Sequence, residues 1–274
     1  LFSGSSLVFP VYVFSMISGT YLYSRKFYFP YIFLFLSVIY IFFFKFPISV
    51  WRVVDISISF SMAIVLLTDA REKRYVKENE ESRGFDKKVE RKRDYLQIVA
   101  GGIIIILLYV YGTDVSRILI TVSSLFLYLI GNFFSLRPDL ALGRILYSME
   151  RKNTKLGIGS MWFASGLLMA YSFHENIYLL MVIVFVVSVS DSVATIAGTS
   201  IKSPKLFFNR KKSVAGTAAF FMVSAVFSVF LLGYIGIFYA AVASLIEGVS
   251  AYPFDDNITI PFFLSILLYL PKIV

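Results

Sequence analysis

The chain of 274 residues contains no cysteine. This absence excludes disulfide bonds, cysteine metal ligands and a cysteine nucleophile, and it leaves the redox compartment undetermined. The apolar stretches also lack the alternation of apolar and polar residues that marks the strands of a membrane barrel. Because no fixed-period repeat and no low-complexity linker divides the sequence, we expect one helical domain.

Apolar residues dominate what is present. Hydrophobic side chains make up 58% of the chain, aromatic ones 18%, and the mean hydropathy is +0.78. These values are typical of a membrane protein, so we predict an all-α, polytopic integral membrane protein with about ten transmembrane helices. The candidate spans are about 6–23, 27–44, 48–68, 96–112, 115–135, 158–174, 177–198, 214–232, 235–251 and 258–271. The first run has no charged segment before it and no cleavage pattern after it, so we expect a helix and not a signal peptide.

Basic residues lie almost entirely in loops that this topology assigns to one face. Those loops hold 22 of the 26 Lys and Arg residues. By the positive-inside rule that face is cytoplasmic, so we predict a multi-pass protein whose active site faces the cytoplasm. We divide the chain into N-terminal membrane helices at 1–143, with a charged cytoplasmic segment at 69–95, and a C-terminal catalytic half at 144–274. The two parts are expected to pack as one membrane domain.

Two of the acidic residues inside apolar runs, where an ionised side chain is costly, stand out. Asp191 lies near the cytoplasmic end of the seventh predicted span, and Glu247 lies at a matching depth in the ninth. The loop that follows adds Asp255, Asp256 and Asn257 on the same face. Carboxylates suit a hard cation and Lys or Arg suits phosphate oxygens, so the pattern predicts a site for a magnesium-bound triphosphate.

Basic loops surround these acids on the predicted cytoplasmic face. They contain Lys202, Lys205, Arg210, Lys211 and Lys212 in "KSPKLFFNRKKS", and Arg144, Arg151, Lys152 and Lys155 in "GRILYSMERKNTK". Phosphoryl transfer depends mainly on positioning and charge neutralisation, which such residues supply. The glycines at 157, 159, 198 and 216 could bring backbone amides close to phosphate at helix starts.

Structural interpretations of the same residues stay open at this point. An Asp191–Lys pair could simply satisfy a buried charge, and glycines in membrane helices are commonly packing contacts. On the opposite face we predict that Arg52 and Asp55 form an interfacial pair and that His174 is solvated in a loop.

Four motifs follow one another in the C-terminal half. They comprise Glu150, Arg151, Thr154 and Gly157 in "MERKNTKLGIGSMWFASG"; Asp191, Ala194 and Gly198 in "SDSVATIAG"; Lys212, Ser213 and Gly216; and Glu247 followed by Asp256, Asn257, Ile260 and Pro261. In this order they resemble the polyprenol kinase family, which includes dolichol kinase, phytol kinase and the CTP-dependent diacylglycerol kinase. The resemblance covers about 144–264. The family often has Gly where Ser190 stands and an acidic residue where Ala215 stands.

The resemblance implies a CTP-dependent lipid alcohol kinase that transfers the γ-phosphate of CTP to dolichol or a similar polyprenol, with Mg²⁺ as cofactor. Catalytic roles fall on Asp191, Lys212 and Glu247, and Asp191, Asp256 and Glu247 would bind the metal. The predicted nucleotide-binding residues are Lys202, Lys211, Ser213, Gly216, Asn257, Glu150 and Arg151. The expected partners are CTP, the lipid alcohol and membrane lipids, and we expect no nucleic acid.

Two other functions are compatible with the sequence. A cytidylyltransferase would use the same CTP and metal but direct the attack to the α-phosphate. An ion-coupled transporter would use the intramembrane acids to bind its coupling ion. Clustering of the acids at one face, and not at the midplane, favours an enzyme.

Overall fold

A computed structural model describes residues 48–56, 58–60, 63, 87–137, 139–148, 158–250 and 255–269. Within these residues the ordered elements are helices, no strand is present, and one isolated β-bridge joins Lys205 and Ser213. The predicted all-α fold class is confirmed for this part of the chain. The prediction of about ten spans is not confirmed, since the N-terminal spans fall largely outside the described residues.

The helices are named in chain order. They are α1 (48–60, without residue 57), α2 (Lys87–Leu136), α3 (Ala141–Ser148), α4 (Ile158–Phe173), α5 (Ile177–Phe185), a π-helical segment (Val186–Ser190), α6 (Asp191–Ser200), α7 (Val214–Leu232), α8 (Ile235–Val249) and α9 (Asp256–Tyr269). Three helical stretches among them are long and apolar enough to cross a bilayer: Arg91–Leu127, Ile177–Ser200 and Val214–Leu232. The helices are therefore compatible with a membrane location.

Helix α2 contains two predicted spans, at 96–112 and 115–135. The backbone leaves the helical conformation at Gly112, with φ of 76° and ψ of −178°. Glycine adopts this positive φ without the steric cost that a Cβ would bring. The break therefore falls where the sequence predicts the boundary between the two spans.

The described residues form two compact units. The first is built from the described residues up to Val89 and between Arg117 and Ser172, and the second from Glu90–Ser116 and the described residues from Phe173 onward. Helix α2 contributes to both. All the predicted site residues that the structure describes lie in the second unit.

The first unit is held by α1 against α4. Ser59 Oγ donates to the Ser165 carbonyl oxygen at 2.7 Å, and Ser165 Oγ donates to the Ser59 carbonyl oxygen at 2.9 Å. Small hydroxyl residues let two helices approach closely and bond to each other, as in membrane helix pairs. Trp51, Val54 and Ile58 are buried on the same helix.

A buried ionic cluster lies in the first unit. Asp55 is fully buried, accepts a hydrogen bond from Thr121 Oγ1, and pairs with Arg117 Nε at 3.6 Å. Arg117 Nη2 donates to the carbonyl oxygen of Tyr171, and Arg52 Nε to that of Ser172, in the last turn of α4. These guanidinium groups donate to carbonyl oxygens that have no partner within the helix, and their positive charge interacts favourably with the negative end of the helix dipole. The interfacial Arg52–Asp55 pair of the sequence prediction is thus a buried cluster that also contains Arg117.

In the second unit, α5, the π-helical segment and α6 form the central helix. Of the 18 most apolar consecutive residues in this helix 61% are buried, whereas the corresponding fraction is 22% in α7 and 11% in Arg91–Leu127. A helix that is apolar on all sides needs neighbours around it, which here include α7 and α9. His174, just before α5, is fully buried, with Nε2 3.0 Å from the Ser265 carbonyl oxygen, so the prediction that it is solvated is wrong.

Helices α7 and α8 form a tight hairpin. Gly233 ends α7 with φ of 68°, and α8 begins two residues later. A Cβ on Gly236 would overlap the backbone of Ser228, so the two helices touch at this point without an intervening side chain. Because paired helices joined by so short a turn run antiparallel, the start of α7 and the end of α8 lie at the same end of the hairpin.

Candidate functional site

Three carboxylates from separate helices converge in the second unit. Asp191 begins α6, Glu247 lies near the end of α8, and Asp256 begins α9. Each offers an oxygen, and these three atoms all lie within 4.8 Å of one another. Glu247 is buried and the two aspartates are half-buried. Like charges at this separation repel strongly where water is largely excluded, so the cluster needs positive charge beside it.

Lys212 supplies part of that charge. Its Nζ lies 2.6 Å from Glu247 Oε1 and 2.9 Å from Asp256 Oδ2. Burial alone would lower the pKa of this amine, but the carboxylates of Asp256, Asp191 and Glu247 outweigh it and raise the pKa above its usual value. Thr217 Oγ1 adds a hydrogen bond to Glu247 Oε2 at 3.2 Å. One lysine facing three carboxylates leaves negative charge in excess.

The donor atoms fit a hard divalent cation. Mg²⁺ and Mn²⁺ prefer carboxylate and other oxygen ligands, and three carboxylates supply them without a competing nitrogen or sulfur donor. The structure thus brings together the three residues that are predicted from the sequence as metal ligands. A cation there would offset the charge that Lys212 leaves uncompensated.

The basic loop 201–213 also caps α7. The first three amides of the helix donate to this loop: Val214 N to the Pro204 carbonyl oxygen, Ala215 N to Ser203 Oγ, and Gly216 N to Ser213 Oγ. Free amides at a helix start can bind phosphate, but these amides already have acceptors. The start of α7 therefore offers no open backbone cradle for a nucleotide.

Two glycines pack α6 against α7. A Cβ on Gly216 would lie 2.9 Å from the Ala194 carbonyl oxygen, and one on Gly198 would lie 2.8 Å from Ser213 Oγ. Larger residues would push the helices apart. The structure gives Ser213 a capping role and Gly216 a packing role, and nucleotide contacts by these two residues stay a prediction.

Asn209 anchors the loop that carries Lys212. Its Nδ2 donates to the carbonyl oxygens of Gly248 and Ser250, at 2.9 and 3.1 Å, at the end of α8. The loop is thereby fastened to the helix that carries Glu247. Sequence analysis missed Asn209, because an asparagine within a basic loop indicates only a turn.

Asn257 is held at both ends of its side-chain amide. Its Nδ2 donates to Asp255 Oδ1 at 2.7 Å, and its Oδ1 accepts from Gln97 Nε2 at 2.9 Å. Burial and the neighbouring Asp256 carboxylate raise the pKa of Asp255 to about 6. With its donor and acceptor both engaged, Asn257 serves here to orient the start of α9 beside Asp256.

Gln97 is a site residue that sequence analysis also missed. Besides Asn257, its Nε2 contacts the Val187 carbonyl oxygen at 2.7 Å and approaches Asp191 Oδ2 to 3.5 Å. The available signal was an uncharged amide at the start of an apolar run, which also fits an ordinary interfacial residue.

The remaining predicted residues are not part of the carboxylate cluster. Lys202 and Lys211 are exposed on the loop 201–213. The amide of Lys211 donates to Asn209 Oδ1, and its carbonyl oxygen accepts from Lys205 Nζ. Glu150 and Arg151 lie outside the described residues.

Comparison with known proteins finds a relative whose own function is not known. An uncharacterized protein of Methanocaldococcus jannaschii is 31% identical over 124 residues, which cover 45% of this chain and 64% of that protein. No family model matches the chain, and no solved structure matches it. Since the relative is itself uncharacterized, the match assigns no activity.

Proposed function

We propose that the protein is a CTP-dependent kinase of a lipid alcohol, with dolichol or a similar polyprenol as acceptor. The observation that carries the proposal is the convergence of Asp191, Glu247 and Asp256 around Lys212. These four residues come from three of the four motifs that resemble the polyprenol kinase family. A cluster that was needed only for packing would be expected to balance its own charge.

Asp191 is the best candidate for the base. Its carboxylate is half-buried, and Gln97 Nε2 lies 3.5 Å from its Oδ2, at the limit of a hydrogen bond. It can therefore accept the proton of the lipid hydroxyl. The alcohol oxygen then forms a bond to the γ-phosphorus of CTP, the bond from that phosphorus to the β–γ bridging oxygen breaks, and CDP leaves with the electron pair.

The other charged residues would hold and neutralise the reactants. Asp191, Glu247 and Asp256 would hold Mg²⁺, which when bound supplies positive charge to the phosphate oxygens. Lys212 fixes the positions of Glu247 and Asp256 through two short ion pairs. Lys202 and Lys211 are exposed on the adjacent loop and would contact the triphosphate oxygens.

The finer topology belongs to the same proposal. About ten spans, with the loop 201–213 on the cytoplasmic face, would give CTP access from the cytoplasm and the alcohol access from the bilayer. Support comes from the concentration of basic residues in that loop and from three helices long enough to span a membrane.

Labelled CTP tests the proposal directly. Purified full-length protein in lipid micelles receives Mg²⁺, a polyprenol and phospholipid extract, and CTP labelled at either the γ or the α phosphate. We expect label to reach the lipid phase from the γ position, and not when Asp191→Asn replaces the wild type. Label from the α position would identify a cytidylyltransferase instead, and label from neither would favour an ion-coupled transporter.

A further inference from the structure

One face of α2 docks directly on the turn that presents Asp191. Ser192 Oγ donates to the Asp94 carbonyl oxygen at 3.2 Å, and Gln97 Nε2 donates to the Val187 carbonyl oxygen at 2.7 Å. One turn further along, a Cβ on Gly101 would overlap the Ser188 side chain. Positions 94, 97 and 101 share a helix face, so α2 meets the π-helical segment through polar and glycine contacts at close range.

The π-helical segment changes which backbone groups are paired before Asp191. The Asp191 amide donates to the Val186 carbonyl oxygen, five residues back, whereas an α-helical turn would pair it with Val187. Gln97 brings a side-chain donor to that Val187 carbonyl. The amide of Gln97 therefore stabilises the local conformation that sets the position of the Asp191 carboxylate.

The same amide also reaches the other side of the site. The second N–H of Gln97 donates to Asn257 Oδ1, and Asn257 follows Asp256 directly in α9. One side chain thus connects the turn before Asp191 with the residue beside Asp256. It makes this connection from α2, which itself supplies none of the three carboxylates.

We propose that Gln97 is a positioning residue of the carboxylate site, holding Asp191 and Asp256 at the separation that a divalent cation requires. The inference rests on the proposed function, since it assumes that these carboxylates bind a metal. Groups that orient metal ligands typically change metal affinity about 10- to 100-fold when they are removed. Loss of the Gln97 amide should therefore weaken cation binding without removing any ligand.

Mn²⁺ binding to the full-length protein in detergent tests this assignment. Free Mn²⁺ is followed by electron paramagnetic resonance without nucleotide, and the site is identified as the one that Asp191→Asn removes. We expect Gln97→Met, which keeps the length but not the hydrogen bonds, to weaken that binding at least about tenfold. Thr113→Val is the matched control: it deletes a hydrogen bond from α2 to the Glu175 carbonyl oxygen and should leave Mn²⁺ affinity unchanged.

The possible outcomes test the role of Gln97 separately from the proposed kinase activity. Mn²⁺ affinity within twofold of wild type in Gln97→Met, an equal loss in Thr113→Val, or no Asp191-dependent site in the wild type would overturn the role of Gln97. If Gln97→Met fails to fold, Gln97→Asn, which keeps the amide but shortens its reach, is held to the same criterion. A wild type that binds Mn²⁺ but transfers no phosphate from CTP would refute the kinase and leave the role of Gln97 intact. Where transfer occurs, Gln97→Met should raise the KM for Mg²⁺ more than it lowers kcat.

Discussion

Each of the two units contains an ionic cluster, fully buried around Asp55 in the first and half-buried around Lys212 in the second. In the first unit, Asp55 faces Arg117, and the guanidinium donors of Arg117 and Arg52 also satisfy carbonyl oxygens that end α4. In the second unit, three carboxylates share Lys212. The first cluster contains at least as much positive as negative charge, whereas the second has an excess of negative charge.

This difference separates a structural ion cluster from a binding site. A buried charge that is paired within the protein needs no ligand. Removing one partner leaves the other charge buried and unpaired, which destabilises the folded state. A buried excess of one sign is destabilising until a ligand of the opposite sign arrives. Asp55 and Asp191 look alike in the sequence, as acids in apolar runs, but substitution should affect them in opposite ways.

The largest expected effect is the loss of activity on Asp191→Asn. Asparagine keeps the shape but cannot accept the proton and contributes no charge to the metal. We expect γ-phosphate transfer to fall at least about 1000-fold, at the upper end of the range for removing one group that acts on the transition state. Without divalent cations the variant should be as thermostable as the wild type or more so, since one of three like charges is gone. A clear loss of stability would show that Asp191 is a structural residue like Asp55.

Asp55→Asn should give the reverse result. It removes the carboxylate that offsets the charge of buried Arg117, which typically costs about 3–5 kcal/mol of folding free energy. We expect a lower midpoint of thermal unfolding in detergent, while Mn²⁺ affinity per folded molecule stays unchanged. Weaker Mn²⁺ binding in the folded fraction would argue that the first-unit cluster also serves the site.

Adjacent lysines allow a matched comparison within the site. Lys212 bonds two of the carboxylates, whereas Lys211 is exposed. Lys212→Met should reduce transfer about 100-fold, because it leaves Glu247 and Asp256 without a charged hydrogen bond worth about 1.5–3 kcal/mol. Lys211→Met should reduce it less than about tenfold, mainly through the KM for CTP. Equal effects from the two substitutions would contradict the proposal that Lys212 acts within the carboxylate cluster and Lys211 only on the exposed loop.

The smallest predicted effect is stabilisation by the cation alone. A ligand present at 100 times its Kd stabilises the folded state by about 2.7 kcal/mol. For a chain of this size the unfolding midpoint should rise by several degrees with saturating Mg²⁺ and return when it is chelated. Asp191→Asn should show no such shift, and Asp55→Asn should show the full shift from its lower starting point.

Sequence analysis identified the site residues whose charge is unfavourable in an apolar run. Asp191 and Glu247 stand out because charges are rare in apolar runs, and Asp256 follows from the acidic loop after them. The all-α class follows from the same apolar runs. Gln97 was not predictable in this way, because its amide is uncharged and its contacts lie 94 and 160 residues further along the chain.

Local backbone geometry was equally hidden. "VVSVS" at 186–190 reads as an ordinary apolar helix, and only the structure shows the π-helical pairing that precedes Asp191. The division into two units was not predicted either: the sequence analysis expects one domain, whereas α2 contributes Glu90–Ser116 to the second unit and its residues from Arg117 onward to the first. The hydrophobic pattern predicts where helices form, but it does not predict which helices pack against one another.

The capping of α7 has a consequence for how a nucleotide could be held. The amides at this helix start are bonded to the loop 201–213, so the side chains of that loop are left to contact phosphate. Long, exposed lysine side chains act through solvent-screened attraction, which weakens as the Debye length shortens from about 10 Å at 0.1 M salt to about 3 Å at 1 M. The affinity for CTP should therefore depend steeply on ionic strength, whereas the cation between the half-buried carboxylates should be retained at salt concentrations that release the nucleotide.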